Sequence, residues 1–382
     1  MKLRNLHFWI SLLLIGALTQ ILRHLHLPLR FDWIKLSIAY WFVLAAQSIF
    51  MAAILFVIGI AGRDAQRDFV ERWQREPMRL LLLLFYFGIL GWAFGGVKAL
   101  VLTVDTIAVL EFRERGNLTK LGRDASAVFL PALYFFVGFL LVLAYNCIIV
   151  SVRFNFAYDP AFNAMDRWIL HGSTVFELSR WAVRTLPIAF FHFLEFIYFG
   201  MFPQIGAGII VVGLYDGRGR SLQFVGTLLM AYYVALGLFY LWPSQGPYYM
   251  CPDHFAEFPS TLQAYSIQKL LISDAKALWS HVPLHRISTD YFIAFPCMHI
   301  AQPLIVIWFL RRWKVIVLAL CAYDAILIVA ILLLEWHYLV DILGGMAVAA
   351  AAIAISESSS WRSQRNGKDS GAPVPGEALS AL

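Results

Sequence analysis

The sequence predicts an all-α, polytopic membrane protein, and three observations carry that prediction. Of the 382 residues, 60% are hydrophobic and only 14% are charged, whereas about 25% of a soluble domain is charged. The mean hydropathy is +0.70. Apolar runs near the ~20 residues that a bilayer-spanning helix needs recur along the chain, and none alternates as barrel strands do. This composition excludes a soluble enzyme, a disordered protein and a disulfide scaffold.

The apolar runs divide the chain into candidate spans in a regular order. They lie at 8–22, 37–61, 80–97 with an extension to about 112, 127–152, 185–214, 221–241, 291–310, 315–334 and 338–355. The first run is interpreted as a retained span, because no small-residue cleavage pattern follows it. Lys98 follows Gly95 and Gly96 in the third run, and a lone lysine at mid-bilayer costs several kcal/mol. We therefore expect two short or re-entrant segments across 80–112 rather than one span.

Two polar segments interrupt this pattern. The segment 153–184 contains Trp168, Arg167 and Asp166, which predicts a helix lying in the membrane plane rather than a catalytic element. The tail 358–382 is rich in Ser, Gly and Pro and is expected to be disordered.

Basic residues predict the orientation, because short cytoplasmic loops carry an excess of Lys and Arg. Arg311, Arg312 and Lys314 form a compact basic loop. The segment 216–220 is separated from this loop by two predicted spans, so both lie on the same side of the membrane. This puts 242–290 and the short turn 335–337 on the outer side. The net charge of +6 does not indicate a nucleic-acid partner, since the basic residues lie between apolar runs rather than on one solvated face.

Polar residues gather at the predicted outer ends of the last spans, in the segments 242–249, 295–299 and 336–341. His337 and Asp341 are four residues apart and share a helix face. Asp341 can accept a hydrogen bond from one ring nitrogen of His337 and leave the other nitrogen free to attack. We expect His337 in the first turn of its helix, where backbone N–H groups favour a phosphate. His299 begins another span at the same depth and can protonate a leaving oxygen. The spacing alone also fits a hydrogen-bonded surface pair.

These segments resemble a family. The order of a Pro-rich segment, FPCMH and then HYLVDILGG is similar to the integral-membrane branch of the type-2 phosphatidic acid phosphatase superfamily. The nearest resemblance is to inositol phosphorylceramide synthases, which are inositolphosphotransferases. The resemblance implies a six-helix catalytic core at 127–357, preceded by N-terminal transmembrane helices at 1–126.

The resemblance also implies the roles of the site residues. His337 would be the nucleophile that forms a phosphohistidine, Asp341 would orient it, and His299 would act as general acid and then base. The reaction would need no cofactor and no metal, although His299, His337 and Asp341 could also form a zinc site. The partners would be a phospholipid donor and a lipid hydroxyl or water as acceptor. The expected substrate-binding residues are Gln245, Gly246, Pro247, Tyr248, Pro296 and Arg286.

The chain departs from the phosphatase pattern in ways that affect the substrate. The segment 242–252 contains no lysine or arginine, and Ala330 and Ile331 stand where phosphatases have Ser-Arg. Losing these phosphate clamps favours transfer, or a phosphodiester donor such as phosphatidylinositol, over an ordinary phosphatidate phosphatase. The basic residues that could neutralise the phosphate from the outer side are Lys269, Lys276, Arg286, Arg180 and Arg184.

Three alternatives remain open at this point. The enzyme could be a lipid phosphate phosphatase that uses water as acceptor. The protein could instead be a transporter, with Lys98, Glu195 and Asp324 marking a pathway through the membrane. It could also be a catalytically dead scaffold, which the intact pair of histidines and the aspartate argue against.

Overall fold

The structure is a computed structural model that describes residues 6–24, 47–49, 51–52, 118–153, 157–250, 252, 262–280 and 292–369. Within these residues the backbone is mostly helical and forms no strand, as the sequence predicts. The helices are α1 (Leu6–His24), α2 (Leu118–Val152), α3 (Asp159–Ile169), α4 (Val175–Thr185), α5 (Ile188–Phe199), α6 (Met201–Leu241), α7 (Pro247–Met250), α8 (Gln263–Trp279), α9 (Met298–Leu310), α10 (Lys314–Leu333) and α11 (Leu339–Asp369).

Four described stretches are long and apolar enough to cross a membrane: Ser126–Val152, Ile188–Leu241, Lys314–Leu333 and Leu339–Ser358. Two shorter apolar helices, Leu6–Leu18 and Met298–Leu310, accompany them. Their outer surfaces carry apolar side chains, such as Leu318 at 72% exposure and Phe196 at 68%. Such surfaces are stable against lipid and unstable against water, so the protein is an integral membrane protein.

α6 consists of two helical arms that form a hairpin, not one straight helix. The stretch 188–241 has 54 residues, which as one helix would extend about 80 Å, far beyond a hydrocarbon core of about 30 Å. Gly217 has the non-helical angles φ 77° and ψ 176°. A Cβ on Gly208 would lie 3.0 Å from the Phe224 ring, although these residues are far apart along a straight helix. The chain therefore reverses at Gly217, and the arms correspond to the predicted spans 185–214 and 221–241.

α2 packs against both arms of this hairpin. The Phe139 ring lies 6.1 Å from Phe202 on the first arm and 6.2 Å from Tyr232 on the second. Gly138 lies so close to Leu229 that a Cβ would be 2.4 Å from a Leu229 methyl. The resulting three-helix contact forms the apolar core on which α9 and α11 also pack.

α1 runs parallel to α2. His7 Nδ1 lies 2.7 Å from the Tyr134 hydroxyl, and seven residues later the Leu14 carbonyl accepts a hydrogen bond of 2.7 Å from Tyr145. The contacts advance along both helices in the same direction. The version of the prediction in which 80–112 is broken requires this parallel order. Lys98 and the segment 80–112 themselves lie outside the described residues.

The segment 153–184 differs from the single in-plane helix that the sequence predicts. It contains two short helices, α3 and α4, because His171 and Gly172 adopt left-handed angles of φ 51° and 106° between them. A capping box then starts α4: the Thr174 hydroxyl accepts from the Glu177 N–H, and the Glu177 carboxylate accepts from the Thr174 N–H. At the other end of the chain, α11 continues to Asp369, so its backbone enters the predicted tail.

Candidate active site

Glycines allow the three polar segments to meet. A Cβ on Gly345 would lie 2.3 Å from the Cys297 carbonyl oxygen, and the Cys297 N–H donates to the Asp341 carbonyl at 2.9 Å. Gly246 has φ +115°, and a Cβ there would lie 2.5 Å from the Trp336 carbonyl oxygen. A larger residue at Gly345 or Gly246 would separate the backbones. The segments around residues 245, 297 and 337 are therefore in direct contact.

His299, His337 and Asp341 form a continuous chain of polar contacts. His299 Nδ1 lies 3.0 Å from His337 Nε2, and His337 Nδ1 lies 3.3 Å from Asp341 Oδ2. Asp341 Oδ2 also accepts from the Tyr338 N–H at 2.8 Å. His337 and Asp341 are buried, and His299 is half-buried.

With Asp341 ionised, these contacts select one tautomer of each histidine. An ionised Asp341 can only accept, so His337 carries its proton on Nδ1 and its Nε2 is the acceptor for His299 Nδ1–H. Burial lowers the pKa of His337 from 6.5 to about 3, against the smaller opposing effect of a hydrogen bond to the Ala294 carbonyl. His337 is therefore neutral at pH 7, with a lone pair directed at His299.

An aromatic stack holds the His299 ring. The Tyr198 ring lies 4.6 Å from the His299 ring at an interplanar angle of 28°. Trp336 also stacks on Tyr198, with ring centres 5.1 Å apart and an interplanar angle of 6°. Because α5 supplies Tyr198, the orientation of His299 depends on a helix outside the three polar segments.

α3 contributes two buried carboxylates that hold two of these segments. Asp159 accepts from the Ser244 hydroxyl at 2.8 Å and from the N–H groups of Gln245 and Gly246 at 3.2 and 2.9 Å. Asp166 accepts from the Leu339 N–H at 2.9 Å. Burial raises the pKa of both Asp159 and Asp166 to about 7, although these hydrogen bonds favour the charged forms. One short helix thus fixes the segment at 244–246 relative to the start of α11.

The start of α11 corrects one expectation. His337 does not lie in the first turn, because α11 begins at Leu339. The N–H of Leu339 is bound by Asp166, and the N–H of Tyr338 is bound by Asp341. These two amides are therefore not available to a phosphate, because the protein's own carboxylates occupy them.

A cavity opens beside the two histidines. It is lined by His299, His337, Gln245, Gln302, Trp336 and Tyr198 together with apolar and aromatic side chains. None of its described lining residues is a lysine, arginine, aspartate or glutamate.

Among the predicted substrate-binding residues, Gln245 alone lines this cavity within the described chain. Gly246, Pro247 and Tyr248 are buried in the adjoining segment, where the Tyr248 N–H donates to the Glu335 carbonyl at 3.3 Å. Pro296 follows a cis peptide bond and does not line the cavity, and Arg286 lies outside the described residues.

The other basic candidates do not line the cavity either. These are Lys269, Lys276, Arg180 and Arg184. Lys269 places its Nζ 4.1 Å from the centre of the Tyr265 ring, an interaction that accounts for its position without a phosphate.

Two carboxylates suggested for a transport pathway join helices instead. Glu195 accepts from the Ala264 N–H at the start of α8 at 2.6 Å, and its other oxygen lies 3.2 Å from His192 Nδ1. Asp324 accepts from the Gln204 side-chain amide at 3.1 Å. Both contacts are of the kind that stabilises helix packing in membranes.

Cys297, His299 and His337 offer potential metal-ligand atoms that lie within 4.8 Å of one another. Their composition and the aspartate behind His337 would suit zinc. The expected metal-free reaction therefore stays a prediction.

Sequence reasoning missed three residues that the geometry brings to the site. Gln302 lies three residues after His299 on α9, a spacing that places both on one face. Asp159 and Asp166 are seven residues apart, which puts them on one face of α3. The seven-residue spacing can be seen in the sequence, but it does not reveal which segments the two carboxylates bind.

A protein-family model matches the chain. The family model described as the PAP2 superfamily, the type-2 phosphatidic acid phosphatases, matches residues 160–355, just over half of the chain. No curated protein and no solved structure matches.

Proposed function

The chain belongs to the PAP2 superfamily, whose members are phosphatases or phosphotransferases, and on that premise we propose that it is a membrane-embedded lipid phosphotransferase. The chemistry would run through His337, His299 and Asp341. The contact of 3.0 Å between His299 Nδ1 and His337 Nε2, with Asp341 behind it, is the observation that carries the proposal.

In the first step, the phosphate of a phospholipid enters between the two rings and breaks their hydrogen bond. His337 Nε2 attacks phosphorus, and the bond from phosphorus to the leaving oxygen breaks. An anionic phosphate between the rings favours the protonated form of His299, which gives its proton to that oxygen. Asp341 stabilises the positive charge that develops on His337.

In the second step, the acceptor hydroxyl occupies the place of the leaving group. His299 takes the hydroxyl proton while the acceptor oxygen attacks phosphorus, and the bond from phosphorus to Nε2 breaks. The product is a new phosphoester and His337 is neutral again, while His299, once more protonated, releases to solvent the proton that it took up when the donor bound. Water in place of the lipid hydroxyl would make the same site a phosphatase, which is the alternative reading.

None of the described residues that line the cavity is a lysine or an arginine, which supports a phosphodiester donor. A phosphomonoester carries up to two charges and is usually held by arginine clamps, whereas a phosphodiester carries one. The resemblance to inositolphosphotransferases further suggests phosphatidylinositol as the donor, and a lipid hydroxyl such as that of ceramide as the acceptor.

The site is proposed to face the extracytoplasmic side. His299 begins α9, and the basic residues Arg311 and Arg312 follow its other end. Because short basic loops remain in the cytoplasm, the end with the histidines faces the periplasm or a lumen.

The test is turnover of radiolabelled phospholipids by purified protein, with His337→Ala beside wild type. We expect His337→Ala to lose at least about a thousandfold in turnover, as removing a nucleophile does. His192→Ala is the matched control, because it removes a half-exposed histidine that lies outside the cavity lining. Adding ceramide, diacylglycerol or no acceptor separates transfer from hydrolysis, and unchanged turnover in His337→Ala would reject the mechanism.

A further inference from the structure

Three side chains that line the cavity beside the histidines have buried polar atoms that no part of the described chain satisfies. They are both polar side-chain atoms of Gln245, Oε1 of Gln302 and Nε1 of Trp336. The three side chains are 2%, 1% and 5% exposed, and all three line the cavity. A buried polar group without a partner costs about 1–3 kcal/mol. Such a set at the nucleophile therefore points to a ligand that completes its hydrogen bonds.

We propose that Gln302, Gln245 and Trp336 form a neutral subsite that binds an uncharged hydroxyl group of the substrate beside the reacting phosphate. This inference rests on the proposed function and names the chemistry that the site selects. It gives Gln302 a direct role in specificity.

The mixture of donors and acceptors identifies the hydroxyl. Gln302 Oε1 only accepts and Trp336 Nε1–H only donates, while the Gln245 amide does both. A phosphate oxygen of a diester cannot donate to Gln302, and an ammonium group cannot accept from Trp336. A hydroxyl donates one hydrogen and accepts two, so it can donate to Gln302 Oε1 while it accepts from Trp336 Nε1–H and from the Gln245 amide N–H, and a second hydroxyl or a water can donate to Gln245 Oε1.

The position of Gln302 on α9 fixes its relation to the chemistry. It lies three residues after His299, about one helical turn along the same face. A hydroxyl held by Gln302 would therefore lie near the oxygen that His299 protonates or deprotonates. Two sources fit this position: a hydroxyl on the headgroup of the donor, or the attacking hydroxyl of the acceptor lipid.

Two lipid donors of equal charge distinguish the two sources of the hydroxyl from each other and from a purely structural role of Gln302. Phosphatidylglycerol has free hydroxyls on its headgroup, and phosphatidylethanol is a phosphodiester without any. The measurement is the binding of each radiolabelled lipid to purified protein in mixed micelles, which requires no turnover. The variant is Gln302→Met, which has a similar shape and no hydrogen bonds. Gln223→Met is its control, since Gln223 bonds Ser356 and Arg220 outside the cavity lining.

If the hydroxyl belongs to the donor, wild type binds phosphatidylglycerol about tenfold more tightly than phosphatidylethanol, the effect of one buried hydrogen bond. Gln302→Met then reduces this ratio to about one without weakening the binding of phosphatidylethanol, and Gln223→Met preserves the ratio. If the hydroxyl belongs to the acceptor, Gln302→Met instead raises the KM for a ceramide or diacylglycerol acceptor about tenfold at an unchanged donor KM.

The inference is overturned if Gln302→Met changes neither the binding ratio nor the acceptor KM. It is also overturned if the variant weakens both lipids equally, because the amide would then be structural. Failure of the proposed function looks different: His337→Ala would keep its turnover whatever Gln302→Met does to binding.

Discussion

Replacing Asp166 with alanine should separate the framework of the site from its chemistry. Asp166 is fully buried on α3, and its carboxylate accepts from the Leu339 N–H at 2.9 Å, two residues after His337. Alanine removes the acceptor and leaves a buried amide unsatisfied at the start of α11. The cost of such a group is about 1–3 kcal/mol, and loss of a helix N-cap is in the same range. We expect the free energy of unfolding to fall by about 2 kcal/mol.

The effect on activity should exceed the effect on stability. A displacement of about 1 Å at a reacting group can cost about a hundredfold in rate. His337 is joined to Leu339 through a single residue, so release of the Leu339 amide should lower kcat by about ten- to a hundredfold with little change in the donor KM. The measurements are thermal unfolding of the purified protein and turnover of radiolabelled phospholipid.

Asp166→Asn is the matched control. It keeps an oxygen that can accept from Leu339, and burial already raises the pKa of Asp166 to about 7, so the neutral form is well populated in the native protein at pH 7. We expect the asparagine variant to stay within about 0.5 kcal/mol of wild type, as substitutions that keep a cap acceptor usually do. Wild-type kcat and melting temperature in Asp166→Ala would refute the reasoning. Equal damage in both variants would show that the charge, and not the acceptor, positions α11.

Two further predictions concern packing and pH. Gly345→Ala should lower turnover at least about tenfold, because its methyl group would lie 2.3 Å from the Cys297 carbonyl oxygen. Gly237→Ala is the control and should keep wild-type turnover, since its methyl group would meet no atom within 4 Å. Equal turnover in the two variants would contradict the close approach at Gly345. Burial lowers the pKa of His337 to about 3, below its unfolded value near 6.5, so its contribution to stability is present above pH 6.5 and is lost as pH falls toward 3. Across this window the free energy of unfolding of wild type should fall, relative to that of His337→Asn, by up to about 1.4 kcal/mol per pH unit. The measurement is thermal unfolding of both proteins as a function of pH. Parallel curves for the two proteins would contradict a buried, neutral His337.

The transmembrane helices were predictable because their signal is local. Hydropathy over about 20 residues decides whether a segment can lie in lipid, and no distant contact is needed to recognise it. The glycine at 217 could be seen in the sequence, but the run 188–241 contains several other glycines that do not interrupt the helix. The non-helical angles of Gly217 and the contact between Gly208 and Phe224, both seen only in the folded chain, show where it reverses.

The site was predictable in part for the same reason. The spacing of His337 and Asp341 is a property of one helix turn, and the family pattern joins them to His299. The contact between Asp166 and the start of α11 spans 173 residues of sequence, and no local pattern specifies such a pair. The expected phosphate site at the start of α11 failed for this reason: a carboxylate from α3 already occupies that position.

The charge of the cavity connects these features to the choice of acceptor. A site without cations in its described lining cannot offset the charge of a phosphomonoester as an arginine-lined site does, so it suits a phosphodiester, whose single charge a protonated His299 can balance. The rest of the described lining is largely aromatic and apolar, which would limit the water that reaches the proposed phosphohistidine. A lipid hydroxyl arriving from the bilayer meets no such barrier, and a buried neutral subsite could hold it in line with phosphorus. A neutral lining in the described part of the chain is therefore in keeping with the proposed transfer between lipids.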